Sequence, residues 1–521
     1  MDGSGAGKSA SYVIPNACQQ LGSYVFTDPK GELYDQTAGF LREKGYKIKV
    51  LNLVRPEKSD GYNPLHHIRN QIDVDIIANT IVKGQKDAAS SSDPFWDDMA
   101  EMLLKSLIYY LREVRPPEEQ NLASCAELVR AANNNGGDNL LSNLINQLPH
   151  QHPARTNYRS IEVSSDKTYG SILSSLQSKL GKFDSKAIAE LTSTNTIDFE
   201  EIGKEKTALY VISSDTHAAY DFLLTIFFSQ MIQRLYDFAD ECGGELPVQT
   251  FFILDEFANI GKIPDFDKKI STSRSRKISF SVILQNLDQL EAVYKESHET
   301  ILGNCDTHVF LGSNSQKTVE YFSKALGEKT IYRESESINK DRNDWKQGKS
   351  VSEQNMARAL LTPDELRRLD VDQCIIYEKG LKPIRAQKYY YFNHPTEKQI
   401  RPFRLDHNDR EVTDRGKWRT YNPYNPYEEK RETVEPTKIE SLDDLFADDE
   451  PKKEEAPKEE KNNNNVQPIL DLSSLDMPPE LPMEPIEEPK VEPQTPQEKL
   501  DLQKEMEAKF DELFGTLNDI D

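Results

Sequence analysis

Gly3-Ser4-Gly5-Ala6-Gly7-Lys8-Ser9 stands near the amino end of the chain. Glycines at alternate positions let successive backbone N–H groups turn toward one point, and such a nest suits an anion. Lys8 adds a full positive charge at the place of the β- and γ-phosphates of a nucleotide, and Ser9 a hydroxyl suited to Mg²⁺. The pattern G-x-x-x-x-G-K-[ST] asks for glycine at position 2, where this chain has Asp2. Taken alone, the segment also fits a flexible terminus. A second group of residues argues for chemistry. "TFFILDE" (250–256) is an apolar run ending in Asp255 and Glu256. Asp255 suits the shell of Mg²⁺ and Glu256 the polarisation of an attacking water. Gln285 closes another apolar run, where an amide can sense the γ-phosphate. Arg274 and Arg276 lie between the two runs. Either can serve as a finger on a neighbouring subunit's γ-phosphate, or as an ordinary surface or nucleic-acid-backbone arginine. His66-His67 and the "HQH" at 150–152 lack acidic or cysteine partners at ligand spacing and read as loop residues.

These residues need strands to carry them. "SYVFTD" (23–28), "YKIKVLNL" (46–53), "TALYVISS" (207–214), "TFFILDE" (250–256), "ISFSVILQ" (278–285) and "THVFLG" (307–312) are apolar runs of strand length. With helices between them, they read as buried parallel strands of an α/β sheet. A long stretch between the second and third runs has helical spacing instead. Phe95, Met99, Leu103, Leu107 and Leu111 recur on one face, with Asp93 as a cap and Pro94 in the first turn. Helical patterns continue to about residue 185, so an all-helical domain is expected between two strands. The segment 215–242 is apolar on most of its faces and reads as a helix packed on the sheet.

The formal charge of −24 is uneven. Residues 441–521 hold 24 acidic and 8 basic side chains, about two thirds of the net charge, so the acidity belongs to a tail and does not exclude nucleic acid as a partner of the body. From about residue 435 the chain is rich in Pro, Glu, Lys and Asn and reads as disordered. Within it "LDDLF" (442–446) resembles "FDELF" (510–514), a pair suited to docking a protein partner. The five cysteines are scattered without CxxC spacing, which argues against a disulfide framework or a zinc site. No apolar run reaches the roughly 18–20 residues of a membrane helix.

Together these motifs resemble the type IV coupling proteins of the TraG type. The resemblance runs through "GSGAGKSASYVIPN", "FTDPKGELY" (26–34), "GYNPL" (61–65), "DPFWDDMAEMLL" (93–104), "ILDEFANIGKIPDF" (253–266) and "LLTPDELRRLD" (360–370), covering about residues 3–390. It implies a RecA-like P-loop NTPase with a mainly parallel sheet, an inserted all-helical domain and a disordered acidic tail. The expected division is 1–65 for the first part of the nucleotide-binding domain and 66–203 for the helical insertion. The remainder of the nucleotide-binding domain takes 204–400, followed by a linker (401–434) and the tail (435–521). The implied cofactors are ATP and Mg²⁺, held by residues 3–9 and by Ser9 with Asp255. The implied catalytic set is Glu256, Asp255, Gln285 and Arg274.

By the same resemblance, the protein is an ATP-hydrolysing coupling protein that recruits single-stranded DNA with its relaxase, or protein cargo, and drives it into a type IV secretion channel. Its partners would be the relaxase, accessory proteins, other secretion components and five further copies in a homo-hexamer. Family members usually begin with membrane helices and a first strand ahead of the phosphate loop. This chain is therefore expected to be a C-terminal portion, cytoplasmic alone, of a protein at the cytoplasmic face of the membrane. A non-hydrolysing cargo-docking receptor is the competing function, and a metabolic P-loop kinase fits less well because of the helical insertion.

Overall fold

The computed structural model describes residues 7–84, 94–133, 139–214, 219–339, 348–412 and 414–423. Gly3, Ser4, Gly5, Ala6, Asp93 and the acidic tail with its repeated motif lie outside them.

Five strands form a parallel sheet in the order β2-β3-β1-β4-β5, from β1 (Ser23–Thr27), β2 (Lys47–Asn52), β3 (Thr207–Ile212), β4 (Thr250–Leu254) and β5 (Ile278–Val282). The register is regular: Val25 stands beside Leu209 on one side and Phe252 on the other. β1 is buried at all five positions, as expected for a central strand covered on both faces. Alternation along the strands divides the apolar side chains. Val25, Leu209, Val211, Phe252 and Leu254 enter one core, and Tyr24, Phe26, Ala208, Tyr210 and Ile253 enter the other.

The second face is covered by the segment that follows Lys8, a single π-helical turn (Ser9–Val13) running into α1 (Ile14–Cys18), and by α2 (Glu32–Glu43). The Tyr12 hydroxyl, 2.9 Å from Ser281 Oγ, pins this segment to β5. The first face carries the helical insertion: α3 (Gln71–Lys83), α4 (Pro94–Val114), α5 (Leu122–Asn133), α6 (Leu140–Ile145), α7 (Pro153–Glu162), α8 (Asp166–Leu180) and α9 (Lys186–Ser193). In α4, Leu103, Leu107 and Leu111 are buried as the spacing predicts and Met99 is partly buried against the core, but Phe95 in the first turn is exposed. The helices share one continuous core with the sheet. α11 (Asp221–Glu241), which follows the short α10 (Phe199–Lys204) and β3, joins them through Phe227, Phe228, Met231 and Leu235.

The sixth apolar run departs from the expectation. β6 (Thr307–Phe310) is a strand, but it pairs antiparallel with β9 (Gln373–Glu378), which in turn pairs antiparallel with β10 (Ile384–Gln387). Only Phe310 of β6 is buried. A short apolar run has the length of a strand but carries no information about its direction, which here is set by the chain's return as β9. Between them β7 (Glu328–Asn339) and β8 (Gly348–Ala359) form a two-stranded antiparallel ribbon.

Residues 401–423, the described part of the stretch expected as a linker, pack along the body. Arg410 pairs with Asp60 at 2.8 Å and donates to the Lys58 carbonyl, and Arg415 donates to the carbonyls of Pro56 and Glu57. Farther on, the Tyr421 N–H donates to Ser124 Oγ, and its buried ring lies under the Arg115 guanidinium. Among the described residues, no helix is long and apolar enough to cross a membrane.

Candidate active site

Parallel strands end on a common edge, and the carboxyl edge of this sheet collects the candidate residues. β4 delivers Asp255 and Glu256 just past Leu254. β5 delivers Gln285, because the ladder continues one step beyond both strands: the Ile283 N–H donates to the Leu254 carbonyl and the Phe257 N–H to the Ile283 carbonyl. Thr27, closing β1, donates its hydroxyl to the Asp255 carbonyl at 2.7 Å. The chain therefore turns sharply after Asp255. Glu256 takes a left-handed backbone (φ 51°), costly for a non-glycine residue and typical of strained functional positions.

Lys8, some 250 positions away in sequence, reaches the same point. Its ammonium donates to Glu256 Oε1 at 2.8 Å and lies 3.5 Å from Asp255 Oδ1. Ser9 Oγ donates to Asp255 Oδ2 at 3.4 Å, and Gln285 Nε2 donates to Glu256 Oε1 at 3.0 Å. The side chains of Lys8, Asp255 and Glu256 are each 13–16% exposed, sheltered but open to solvent. Burial pulls the Lys8 ammonium down, but the Glu256 hydrogen bond and the charges of Asp255 and Glu256 outweigh it and hold the amine above the ordinary lysine value. Burial pushes the Asp255 carboxyl above its ordinary range, against the pull of Lys8.

Five of the residues singled out in the sequence thus meet: Lys8, Ser9, Asp255, Glu256 and Gln285. Gly7 is beside them, at φ 71°, its carbonyl accepting from the Ser11 N–H. Arg274 is not among them. It is an exposed residue in the turn preceding β5, at the amino edge of the sheet, roughly 16 Å of strand from the carboxylates. Arg276, the fallback candidate, is tied to Asp240 and lies over the Tyr236 ring. Sequence reasoning missed Thr27, Tyr12 and Tyr390. The Tyr390 ring edge sits where a Cβ on Gly7 would be, 2.6 Å from that position. Tyr12 and Thr27 stand inside motifs quoted above without a chemical role being read from them, and Tyr390 is brought in by a turn far along the chain.

The family model described as "Type IV secretory system Conjugative DNA transfer" matches residues 1–415. The chain belongs to this family. Relatives include protein VirD4 of Rhizobium radiobacter, 25% identical over 419 residues, covering 76% of this chain and 57% of the relative. The conjugal transfer protein TraG of Escherichia coli is 25% identical over 427 residues, covering 75% and 66% respectively. The chain thus spans less than two thirds of the length of these curated relatives. Its fold is similar to that of the bacterial conjugative coupling protein TrwB, with a TM-score of 0.52 at 16% identity over 74% of this chain and 82% of that one. TrwB has also been solved with ADP and Mg²⁺, again at a TM-score of 0.52 and 16% identity, over 74% of this chain and 84% of that one. This likeness establishes the expected α/β architecture, a mainly parallel sheet with many helices.

Proposed function

We propose that this member of the conjugative DNA-transfer family is a coupling ATPase. It would use ATP–Mg²⁺ to drive single-stranded DNA with its relaxase, or protein cargo, into a type IV secretion channel at the cytoplasmic face of the membrane. The observation that carries the reading is the meeting of Lys8, Ser9, Asp255, Glu256 and Gln285 at the carboxyl edge of one parallel sheet. A lysine, a hydroxyl, two carboxylates and an amide converging there from three separate segments suit phosphoryl transfer.

The donor set fits the cofactors. Hydroxyl and carboxylate oxygens, as on Ser9 and Asp255, are the hard ligands Mg²⁺ prefers, and Asp255, pushed up by burial, would be relieved by a cation. Residues 3–9 would hold the phosphates, with Lys8 as their charge partner. Bound Mg²⁺ would supply charge neutralisation on the phosphate oxygens. Glu256, held by Gln285 and Lys8, is the group positioned to orient water and take up its proton. Arg274, far from its own chain's carboxylates, would act as a finger only in trans, in an assembly such as a homo-hexamer, and is otherwise a surface or nucleic-acid-backbone arginine. The two acidic–apolar clusters at 442–446 and 510–514 would dock a relaxase, accessory protein or other secretion component, raising avidity by duplication.

The test is calorimetric titration of the full chain with ATP–Mg²⁺. Micromolar to millimolar binding is expected, abolished by Lys8→Ala and largely kept by Lys8→Arg. Equal affinity for the parent and Lys8→Ala would overturn the assignment. A docking receptor without turnover would bind ATP and release no phosphate over that of a Glu256→Gln control.

A further inference from the structure

Residues 389–392 read Tyr-Tyr-Tyr-Phe, an aromatic run that the chemistry above does not use. It forms a turn (Tyr391–Asn393) lying against the turn Ser9–Val13 that follows Lys8. The central ring points inward: Tyr391 packs on the core that includes Val13, Ile14 and Ile400. Its neighbours point out. Tyr390 and Phe392 stack on each other, with ring centres 5.2 Å apart and planes 18° from parallel. Phe392 is 53% exposed, and Tyr391 braces it edge-on at 5.5 Å. Tyr389, itself exposed, stacks separately on His394 at 3.7 Å. The Tyr390 ring edge rests on Gly7, the last glycine before Lys8.

We propose that the Tyr390–Phe392 pair is the platform on which the base of the bound nucleotide stacks, an assignment that rests on the phosphate-loop reading of residues 3–9. A nucleotide whose phosphates are gripped at Lys8 must place its ribose and base to one side of the loop. Tyr390 touches the loop itself, and Phe392 extends the ring surface outward from it. Two braced rings expose apolar area to water at a fixed orientation, which a flat base covers well. Every base has such a face, so the platform grips without reading base edges, and ATP and GTP are expected to bind within about tenfold of each other.

The experiment compares ATP–Mg²⁺ with inorganic tripolyphosphate–Mg²⁺, by calorimetry on the full chain. Phe392→Ala should weaken ATP by about five- to 150-fold while leaving tripolyphosphate unchanged. Phe392→Trp should restore ATP binding, and Tyr390→Phe should keep it. Parallel weakening of both ligands by Phe392→Ala would mean that the ring only supports the loop, and would overturn the proposal. So would unchanged ATP binding, or a loss confined to a single-stranded oligonucleotide titrated alongside. If the parent chain bound neither triphosphate, the phosphate-loop reading itself would fall, and this inference with it. Tripolyphosphate binding without any gain from a base would remove the platform alone.

Discussion

Glu256 sits in a left-handed conformation with its carboxylate between an ammonium and an amide. That strain is tolerable because the ladder bonds on either side and the Thr27 hydroxyl hold the turn from three directions. Its neighbour Asp255 contacts Ser9 and also lies 3.5 Å from Lys8, so the two acids share the lysine while the hydroxyl faces one and the glutamine the other. Different consequences follow from replacing them. Glu256→Gln keeps the shape and an acceptor for Lys8 but removes the base. ATP–Mg²⁺ affinity should stay within about threefold, while turnover falls by about 10²- to 10⁴-fold in a steady-state phosphate-release assay. Turnover at the parent rate would move the water-orienting role to another group. His67 is a contrasting residue. Its ring stacks on Phe199 at 4.1 Å and bonds Asn195, and burial lowers its pKa to about 3, so it serves packing as a neutral ring.

At the scale of elements, several motifs that carry the resemblance turn out to be joints. In "DPKGE" (28–32), Asp28 accepts from the Tyr34 N–H at 2.8 Å and so caps the first turn of α2, while Gly31 (φ 76°) leaves room for the His407 ring. In "GYNPL" (61–65), Tyr62 donates to Gln230 of α11 and the Asn63 amide donates to the Gln120 carbonyl, tying the exit of β2 to the helical insertion. In "LLTPDELRRLD" (360–370), Thr362 and Glu365 form a reciprocal capping box. Asp28 also carries a pH signature. Burial, aided by the charge of Asp35, raises it to about 6 from an ordinary value of 3.8. Between those values the unfolded chain ionises first, so Asp28 subtracts stability as pH rises, by on the order of 3 kcal/mol at neutral pH. Asp28→Asn keeps an acceptor for Tyr34 and cannot ionise. Its stability relative to the parent should therefore improve by about that amount from pH 4 to pH 7.5, read from urea denaturation midpoints at both pH values. A difference independent of pH would show that Asp28 does not resist ionisation in the fold.

The whole body is held together across long sequence distances. The segment 401–423 runs from α2, where Gly39 lets the Phe403 carbonyl approach to 2.0 Å of an added Cβ, past Asp60, to the insertion at Ser124. Glu119, fully buried, receives Arg115 from its own helical region and Arg419 from this segment. The five-stranded sheet and the helical insertion thereby share a brace as well as a core. The proposed assembly belongs to this scale too. With Arg274 at the opposite edge of the sheet from the carboxylates, it could serve as a finger only on a second copy. Arg274→Ala and Lys8→Ala chains, each inactive, should recover measurable ATPase activity when mixed, because some interfaces then pair an intact pocket with an intact arginine. Co-assembly confirmed by light scattering without any recovery would exclude Arg274, and the same mixing with Arg276→Ala would then be decisive for its neighbour.

Local chemistry already determined much of this protein. The chemical identities of Lys8, Ser9, Asp255, Glu256 and Gln285, the six strand-length runs and the helical face of α4 were legible because each depends on residue type and short-range periodicity. The family motifs sharpened that reading, for the reason now visible: several of them build joints between elements. Only the tertiary structure decided how far the pieces travel. It brought Lys8 within 2.8 Å of Glu256, turned β6 antiparallel beside β9, separated Arg274 from the acids by the length of β5, and laid Tyr390 on Gly7. A strand's apolar run states its length but not how deeply it is buried, which neighbour it takes or in which direction. That choice belongs to the packing of the whole sheet, where hydrogen-bond register, the connections between strands and the cover on both faces are satisfied together.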